Sequence, residues 1–163
     1  MFTQKPKRIG GRDSFCLKLM GLPVVLILLT GGAGFAEESD PMVPRVPASK
    51  MEEAKKLTAP FGDLWKAPPD IIAEGKKLFE GKGTCHNCHG KSGQGDGPVG
   101  QMLDPSPRSF TNCKFHHNRV DGELFWVVKF GSPGTGMVSL VPAVIGEEEA
   151  WKILAYERSF CKE

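Results

Sequence analysis

Two cysteines and a histidine stand at a spacing that suits one particular chemistry, in the run Cys85-His86-Asn87-Cys88-His89. The Cys-x-x-Cys-His pattern is typical of covalent haem c attachment. Each thiol can add to one of the two vinyl groups on an edge of the haem, and the adjacent histidine can turn its imidazole onto the iron. The pattern therefore predicts one covalently bound haem c, attached through Cys85 and Cys88, with His89 as an iron ligand.

Residues 1–36 have the features of a secretory signal. Five basic residues lie between positions 5 and 18, an almost wholly apolar run follows at 19–29, and mostly small residues come next. This order is typical of a signal peptide, and a cut is predicted after Ala36. An uncleaved anchor is the alternative, although the apolar run is shorter than the roughly 20 residues that span a bilayer. We therefore expect export across the inner membrane into the periplasm.

The signal segment also accounts for the basic excess of the chain. The whole chain holds 21 Lys+Arg and 19 Asp+Glu, a net charge of +2. Five of the basic residues and one acidic residue lie within 1–36, so the remainder holds 16 and 18 and has a net charge of −2. No basic tract interleaved with aromatic residues follows. Nucleic acid is therefore not expected among the partners.

Two cysteines remain once the signal segment and the haem motif are set aside. Cys16 lies in the signal segment, which leaves Cys113 and Cys161 as an even pair. Because an oxidising compartment favours disulfides, we expect these two residues to bond to each other. Two separate free thiols are the alternative.

A zinc site is a second use for some of these cysteines. Cys85, Cys88, Cys113 and His116 would make a Cys₃His set with tolerable spacing. The secretory signal and the histidine directly after Cys88 favour haem instead.

The pattern of apolar residues predicts helices and no strands. Residues 37–68 begin with a proline-rich stretch and indicate an extended, mobile arm with one short helix near 49–57. Helical spacing of apolar residues predicts three main helices at about 70–80, 121–130 and 147–160. Long loops rich in glycine and proline separate these helices. The fold class predicted from the sequence is all-α.

Several of these motifs together match a known family. A helix with Gly75 and Phe79 precedes residues 85–90, and the runs Gly-Gln-Gly-Asp-Gly-Pro (93–98) and Gly-Thr-Gly-Met (134–137) follow before a final aromatic-bearing helix. Over about residues 69–161 the chain resembles class I c-type cytochromes. The resemblance implies a cytochrome c fold, with three main helices wrapped around one haem. It also implies His89 as proximal iron ligand and a methionine as distal ligand.

Four methionines follow residue 36, and they are the candidates for the distal ligand. Met137 lies 48 residues after His89 in a glycine-rich loop that can approach the face of the ring. Met102 follows His89 by only 13 residues, which leaves little chain to wrap the haem. We therefore predict Met137 as the second iron ligand. His116 and His117 are competitors, and either one would give a bis-histidine site of lower potential.

The resemblance also concerns the groups around the ligands. It implies that a carbonyl of Pro98 or its neighbours accepts the second ring N–H of His89. Arg108, Trp126 and Lys129 are candidate partners of the haem propionates.

These observations predict three segments and one function. The segments are a signal peptide (1–36), the arm (37–68) and a cytochrome c domain (69–163). We expect a soluble monohaem carrier that moves single electrons between transient redox partners in the periplasm, as a monomer and not as an enzyme. Membrane contact is expected only through a membrane-bound partner or an uncleaved leader. The alternative is a haem c enzyme subunit, or a gas- or ligand-sensing cytochrome, with an open or bis-histidine distal site.

Overall fold

A computed structural model describes residues 42–162, and the predicted signal peptide with Cys16 lies outside these residues. Its six α-helices are α1 (Met51–Ala54), α2 (Pro69–Glu80), α3 (His86–His89), α4 (Cys113–His117), α5 (Asp121–Phe130) and α6 (Glu147–Arg158). Three short 3₁₀ helices lie at Ala48–Lys50, Leu64–Lys66 and Gly100–Met102. No strand occurs between residues 42 and 162, so the predicted all-α class is confirmed. None of the described helices is long and apolar enough to cross a bilayer.

The three main helices follow the predicted pattern closely. Helices α2 and α5 have the predicted extents, and α6 ends at Arg158, two residues before the predicted end. Carboxylates favour the positive N-terminal end of a helix, and α6 begins with three glutamates. The third of these, Glu149, accepts a hydrogen bond from the backbone N–H of Gly146 at 2.7 Å, which satisfies one free donor of the first turn.

Helices α2 and α6 cross with their backbones in contact. A Cβ atom on Gly75 would collide with the carbonyl oxygen of Lys152 and would lie 3.0 Å from Cβ of Tyr156. Only glycine allows this approach. One turn further along α2, the Phe79 ring is almost fully buried and meets the ring of Tyr156 edge-on, with centroids 5.4 Å apart. The crossing therefore forms one end of the hydrophobic core.

Helix α5 packs on the other side of α6. The rings of Phe125 and Trp151 are stacked with centroids 4.0 Å apart and planes inclined by 6°. Leu154 and Ile145 beside them are nearly inaccessible to solvent. Aromatic side chains of this size bury about 150–250 Å² each, so this stack contributes much of the apolar burial between the two helices.

The described part of the arm is packed against the helices. Val46 and Ala54 are buried and contact Trp126 on α5, and a Cβ on Gly122 would collide with the carbonyl oxygen of Ala54. Leu64 joins the main core with 1 % of its surface exposed. The prediction of a mobile arm is therefore wrong from residue 42 onward, because α5 covers the apolar residues of the arm.

Arg158 joins several elements at the end of α6. Its side chain is 2 % exposed, and its guanidinium pairs with Asp121 at 2.6 Å. The same group donates to the carbonyl oxygens of His116 and Arg119, each at 2.6 Å, and lies over the ring of Trp65. A buried charge is tolerated when it is paired and its other donors are satisfied, as they are here. Arg158 thus connects α4, α5 and the arm to α6.

Cys113 and Cys161 meet beside this cluster. Their Sγ atoms lie 2.08 Å apart and their Cα atoms 4.9 Å apart, between the start of α4 and the residues that follow α6. The link spans 48 residues of sequence, which include α5 and the glycine-rich loop with Met137.

Replacement of Gly75 by alanine tests the helix crossing. Alanine is intrinsically better in a helix by about 1 kcal/mol, yet the added Cβ meets the Lys152 carbonyl, so we expect the free energy of unfolding to fall by ~1–3 kcal/mol. Lys76→Ala on the exposed side of α2 is the matched control and should be close to neutral. Urea unfolding measures both, and a gain in stability for Gly75→Ala contradicts the packing described.

Replacement of Cys113 and Cys161 together by serine tests the disulfide. A bond across 48 residues restricts the unfolded chain and contributes about 4 kcal/mol in the chain-entropy model, so the double variant should lose stability of that order. Reductant should destabilise the parent protein and leave the double variant unchanged. Equal urea midpoints for parent and variant under oxidising conditions would show that the two thiols are not joined.

Candidate cofactor site

Helix α3 is a single turn, and it places three predicted site residues on one side. Cys85, Cys88 and His89 stand at positions i, i+3 and i+4, which share a face of a helix. The turn is closed by the N–H of His89, which donates to the carbonyl oxygen of Cys85 at 2.9 Å. Thr84 enters the turn with a φ of 50°, a left-handed conformation that reverses the chain after α2.

That face lines an open-sided cavity. The cavity holds about 1320 Å³ of space between its atoms, counting the solvent at its open side. All four predicted cofactor residues, Cys85, Cys88, His89 and Met137, line it. The rest of its wall is mainly apolar and comes from α2, α4, α5, α6 and the long loops: Phe79, Leu103, Phe110, Phe115, Leu124, Val128, Leu140 and Ile153.

His89 is oriented by a backbone carbonyl. Its Nδ1 lies 3.0 Å from the carbonyl oxygen of Arg108 and donates to it, which leaves Nε2 as the ring nitrogen with a free lone pair. Burial lowers the pKa of His89 to about 4, and the Arg108 carbonyl opposes this shift. The imidazole is therefore neutral at physiological pH, the form that binds metals. The carbonyl expected from Pro98 or its neighbours comes from Arg108 instead, because the loop after Pro107 passes closest to the ring.

Met137 is held by a tight turn of the glycine-rich loop. Its N–H donates to Thr135 Oγ1 at 3.1 Å, and its carbonyl accepts from the N–H of Ser132 at 2.9 Å. Gly136 packs against the Leu103 side chain, where a Cβ would lie 2.7 Å from a Leu103 methyl carbon. The thioether thus lies on the cavity wall, and the loop that carries it is fixed by hydrogen bonds on both sides.

The competing histidines do not reach the cavity. His116 is fully buried, its Nε2 donates to the carbonyl of Phe110 at 2.7 Å, and its Nδ1 lies 3.3 Å from a guanidinium nitrogen of Arg158. Both ring nitrogens are therefore engaged. His117 stacks on Trp65 with centroids 5.2 Å apart. Neither histidine lines the cavity, so the structure contradicts a bis-histidine site.

The zinc alternative also fails on geometry. Cys113 lies beside Cys161 and does not line the cavity that Cys85 and Cys88 line. Among residues 42–162, no group of three or more His, Cys, Asp or Glu side chains is placed to hold a metal ion.

The charged groups of the cavity differ in part from those predicted. Arg108 lines the cavity as predicted, but Trp126 packs against the arm and Lys129 pairs with Glu147 at 2.7 Å. Arg45 and Arg119 line the cavity instead. No local pattern could have shown this, because Arg45 reaches the wall only where the arm crosses it. The side chains of Arg108 and Arg119 hold the arm there by donating to the carbonyls of Val43 and Met42 at 2.7 and 2.6 Å.

These residues fit haem c. Three arginines among the lining residues suit the two carboxylates of a haem, and the apolar lining suits its ring. The Ser132 hydroxyl oxygen lines the cavity, is inaccessible to solvent and has no hydrogen-bond partner within residues 42–162. A buried hydroxyl normally has a partner, so this one indicates a polar group inside the cavity.

The chain is similar to a known protein family and to a solved structure. A family model described as cytochrome c oxidase, cbb3-type, subunit III matches residues 70–156. A solved chain of the reducing HAO-like protein complex from Kuenenia stuttgartiensis is 30 % identical, with a TM-score of 0.51 over 58 % of this chain and 46 % of that one. This chain thus spans about half the length of the solved chain. None of the curated proteins compared with it matches.

The burial of the His116 ring predicts a pH dependence of the free energy of unfolding. Burial lowers its pKa from 6.5 to about 4, so the folded state binds fewer protons than the unfolded state between these pH values. The contribution of this pKa shift to the free energy of unfolding is fully present above pH 6.5. It is lost as the pH falls towards 4, and the total loss is roughly 3 kcal/mol. Urea unfolding at pH 7 and pH 5 measures the loss. His116→Gln should flatten this part of the profile, whereas His117→Gln should leave it intact; an unchanged profile in His116→Gln contradicts the assignment.

Proposed function

The chain belongs to the class I c-type cytochromes, in the family described as cytochrome c oxidase, cbb3-type, subunit III, and from this premise we propose that it is a monohaem carrier of single electrons. The family implies covalently bound haem c and haem-based electron transfer. The observation that carries the finer proposal is that Cys85, Cys88, His89 and Met137 line one cavity. No second Cys-x-x-Cys-His run occurs in the sequence, which supports one haem.

The residues of the chain divide the work of holding the cofactor. Cys85 and Cys88 would hold it through thioether bonds, and His89 Nε2 and Met137 Sγ would be the ligands of its metal. When bound, haem c supplies an iron that changes between the ferrous and ferric states. With His89 and Met137 both ligating the metal, no coordination position would be left for a substrate, so the proposal is a carrier and not an enzyme.

The residues around the cavity affect the reduction potential of the haem and the reorganisation energy of electron transfer. The Arg108 carbonyl fixes the tautomer and orientation of His89, and a hydrogen bond of this kind makes the ligand more basic. The apolar walls exclude water, which limits reorganisation when the charge changes. Ligation by methionine and histidine raises the potential of cytochromes c relative to other ligand pairs. Arg45, Arg108 and Arg119 are proposed to bind the propionates.

We propose that the protein is located in the periplasm. The sequence pattern of residues 1–36 supports export, and the proximity of Cys113 and Cys161 suits an oxidising compartment. The partners are proposed to be redox proteins that bind transiently to a monomer. Contact with a membrane would come only through a membrane-bound partner or an uncleaved leader.

A second candidate is a subunit of a larger haem enzyme. The observation in its favour is the similarity to a chain of a reducing HAO-like protein complex, at 30 % identity. The two candidates are separated by the size of the native protein. A monomer on size-exclusion chromatography of the natural source extract supports the carrier, whereas stable co-elution with another haem protein supports the subunit.

Replacement of Met137 by leucine tests the proposed ligand. The ferric parent protein should show the long-wavelength band of a methionine–iron bond, and Met137→Leu should lose the band and shift the reduction potential by on the order of 100 mV downward. Met102→Leu is the matched control, because the Met102 side chain is 78 % exposed. Visible spectroscopy and potentiometric titration measure both. Retention of the band in Met137→Leu would rule out this ligand.

A further inference from the structure

One acidic residue stands where an apolar side chain would be expected. Glu157 follows Leu154 by three positions and Ile153 by four on α6, so it shares their helical face. These neighbours are 0 % and 2 % exposed, and Glu157 itself is 5 % exposed. The face of a helix that points to the core normally takes apolar residues. The glutamates at 147–149 differ, since they lie in the first turn of the same helix and bind cations or backbone N–H groups.

Glu157 lines the cofactor cavity without a polar partner. It lines the cavity together with Cys85 and His89, and among residues 42–162 its carboxyl has neighbouring charges but no hydrogen bond or ion pair. Its oxygens, unlike the Ser132 hydroxyl, are not fully closed off from the cavity. The adjacent Arg158 directs its guanidinium to Asp121 and to two backbone carbonyls instead. An ionised carboxylate buried without a partner costs several kcal/mol or more, so a proton is the simplest way to neutralise it.

We propose that Glu157 is a redox-linked proton acceptor, which binds one proton when the cavity gains an electron and releases it when the electron leaves. The inference rests on the proposed function, because the electron must reside on the haem. On reduction, one electron arrives from the redox partner, one proton arrives from water, and one O–H bond forms on the Glu157 carboxyl. On oxidation the O–H bond breaks, the proton returns to water, and the electron goes to the next partner.

The coupling follows from Coulomb's law in a medium of low dielectric constant. The oxidised centre carries one more positive charge than the reduced centre, and this charge favours the carboxylate form of a nearby acid. The negative charge of Glu157 already acts on Cys85, where it adds to the effect of burial in raising the thiol pKa to about 12. Glu157 is therefore close to the edge at which the cofactor is attached.

Other charged groups set the pH range of the effect. Burial raises the pKa of Glu157 to about 8, Arg158 lowers it and Asp121 raises it. The carboxyl therefore changes protonation near neutral pH and not near its ordinary value of 4.5. The other titratable or charged side chains of the cavity wall are Arg45, Cys85, Cys88, His89, Arg108, Arg119 and Glu123. The elements packed on α6 add Lys66, Asp70, Glu74, Lys76, Lys77, Glu80 and Lys129.

Glu123 provides a matched control within the same cavity. It is also buried and lines the cavity, but its carboxylate accepts a hydrogen bond from the N–H of Val120 at 2.9 Å. Glu123 thus differs from Glu157 in having a backbone N–H as a partner. Glu123→Gln removes a charge from the cavity while keeping an acceptor oxygen for Val120.

The test is a potentiometric titration of the haem-containing protein at a series of pH values. For the parent, each pH unit in the range around pH 8 should change the ratio of oxidised to reduced protein at a fixed potential by up to tenfold, equal to 59 mV for a one-electron couple. The potential should fall as the pH rises. Glu157→Gln should show no such slope, and Glu123→Gln should retain it.

Two further measurements make the result decisive. Infrared difference spectra should show a protonated carboxyl band that appears on reduction in the parent and is absent in Glu157→Gln. Glu157→Leu, which suits the apolar face of α6, is the second variant if the glutamine form does not fold, and it should also lack the slope. A flat parent profile, or a slope that persists in both Glu157 variants, overturns the inference and assigns any remaining effect to the propionates. Absence of haem absorbance in the parent would instead contradict the proposed function.

Discussion

The hydrogen bond between His89 Nδ1 and the carbonyl of Arg108 joins the two parts of the chain that define the cavity. One part is the single turn α3, which follows from the spacing of the cysteines and the histidine. The other is the proline-rich stretch before Phe110, which lines the cavity beside His89. The bond selects the tautomer of His89 and directs Nε2 into the cavity, so the position proposed for the iron depends on it. The same stretch contributes an arginine side chain to the wall.

The helix crossing at Gly75 supports this arrangement from outside. Backbone contact between α2 and α6 brings Phe79 and Ile153 to the same side of the cavity, directly behind the turn that carries the cysteines. Arg158 then ties α6 to α4 and α5 through Asp121 and the His116 carbonyl. Because each element contributes both to the core and to the cavity wall, the volume available to a cofactor is set by the packing of the helices.

The sequence shows the parts of this site that are local, and it misses those that depend on distant segments. The helical face of α3 and the extents of α2 and α5 follow from spacing alone. The even number of remaining cysteines predicts a bond between Cys113 and Cys161, and the structure places these two residues side by side. Arg45, in contrast, reaches the cavity only through hydrogen bonds that hold the arm.

His116 and Glu157 also show that the sequence alone does not give the surroundings of an ionisable side chain. His116 lies among polar residues in the sequence, yet its ring is buried by contacts with α6, some 40 positions away. Glu157 gives a local signal, since it falls on the apolar face of α6, but its meaning appears only when the cavity is known. Long-range packing thus decides which ionisable groups are near the cofactor.

The most direct measurement of the central claim, a centre ligated by His89 and Met137, is an NMR spectrum of the reduced protein with ¹³C-labelled methionine methyl groups. A methyl bound over the face of a haem is shifted strongly to high field by the ring current. The account predicts that one methionine methyl is shifted in this way and that the signal disappears in Met137→Leu. A spectrum in which every methionine methyl lies in the ordinary range would contradict it.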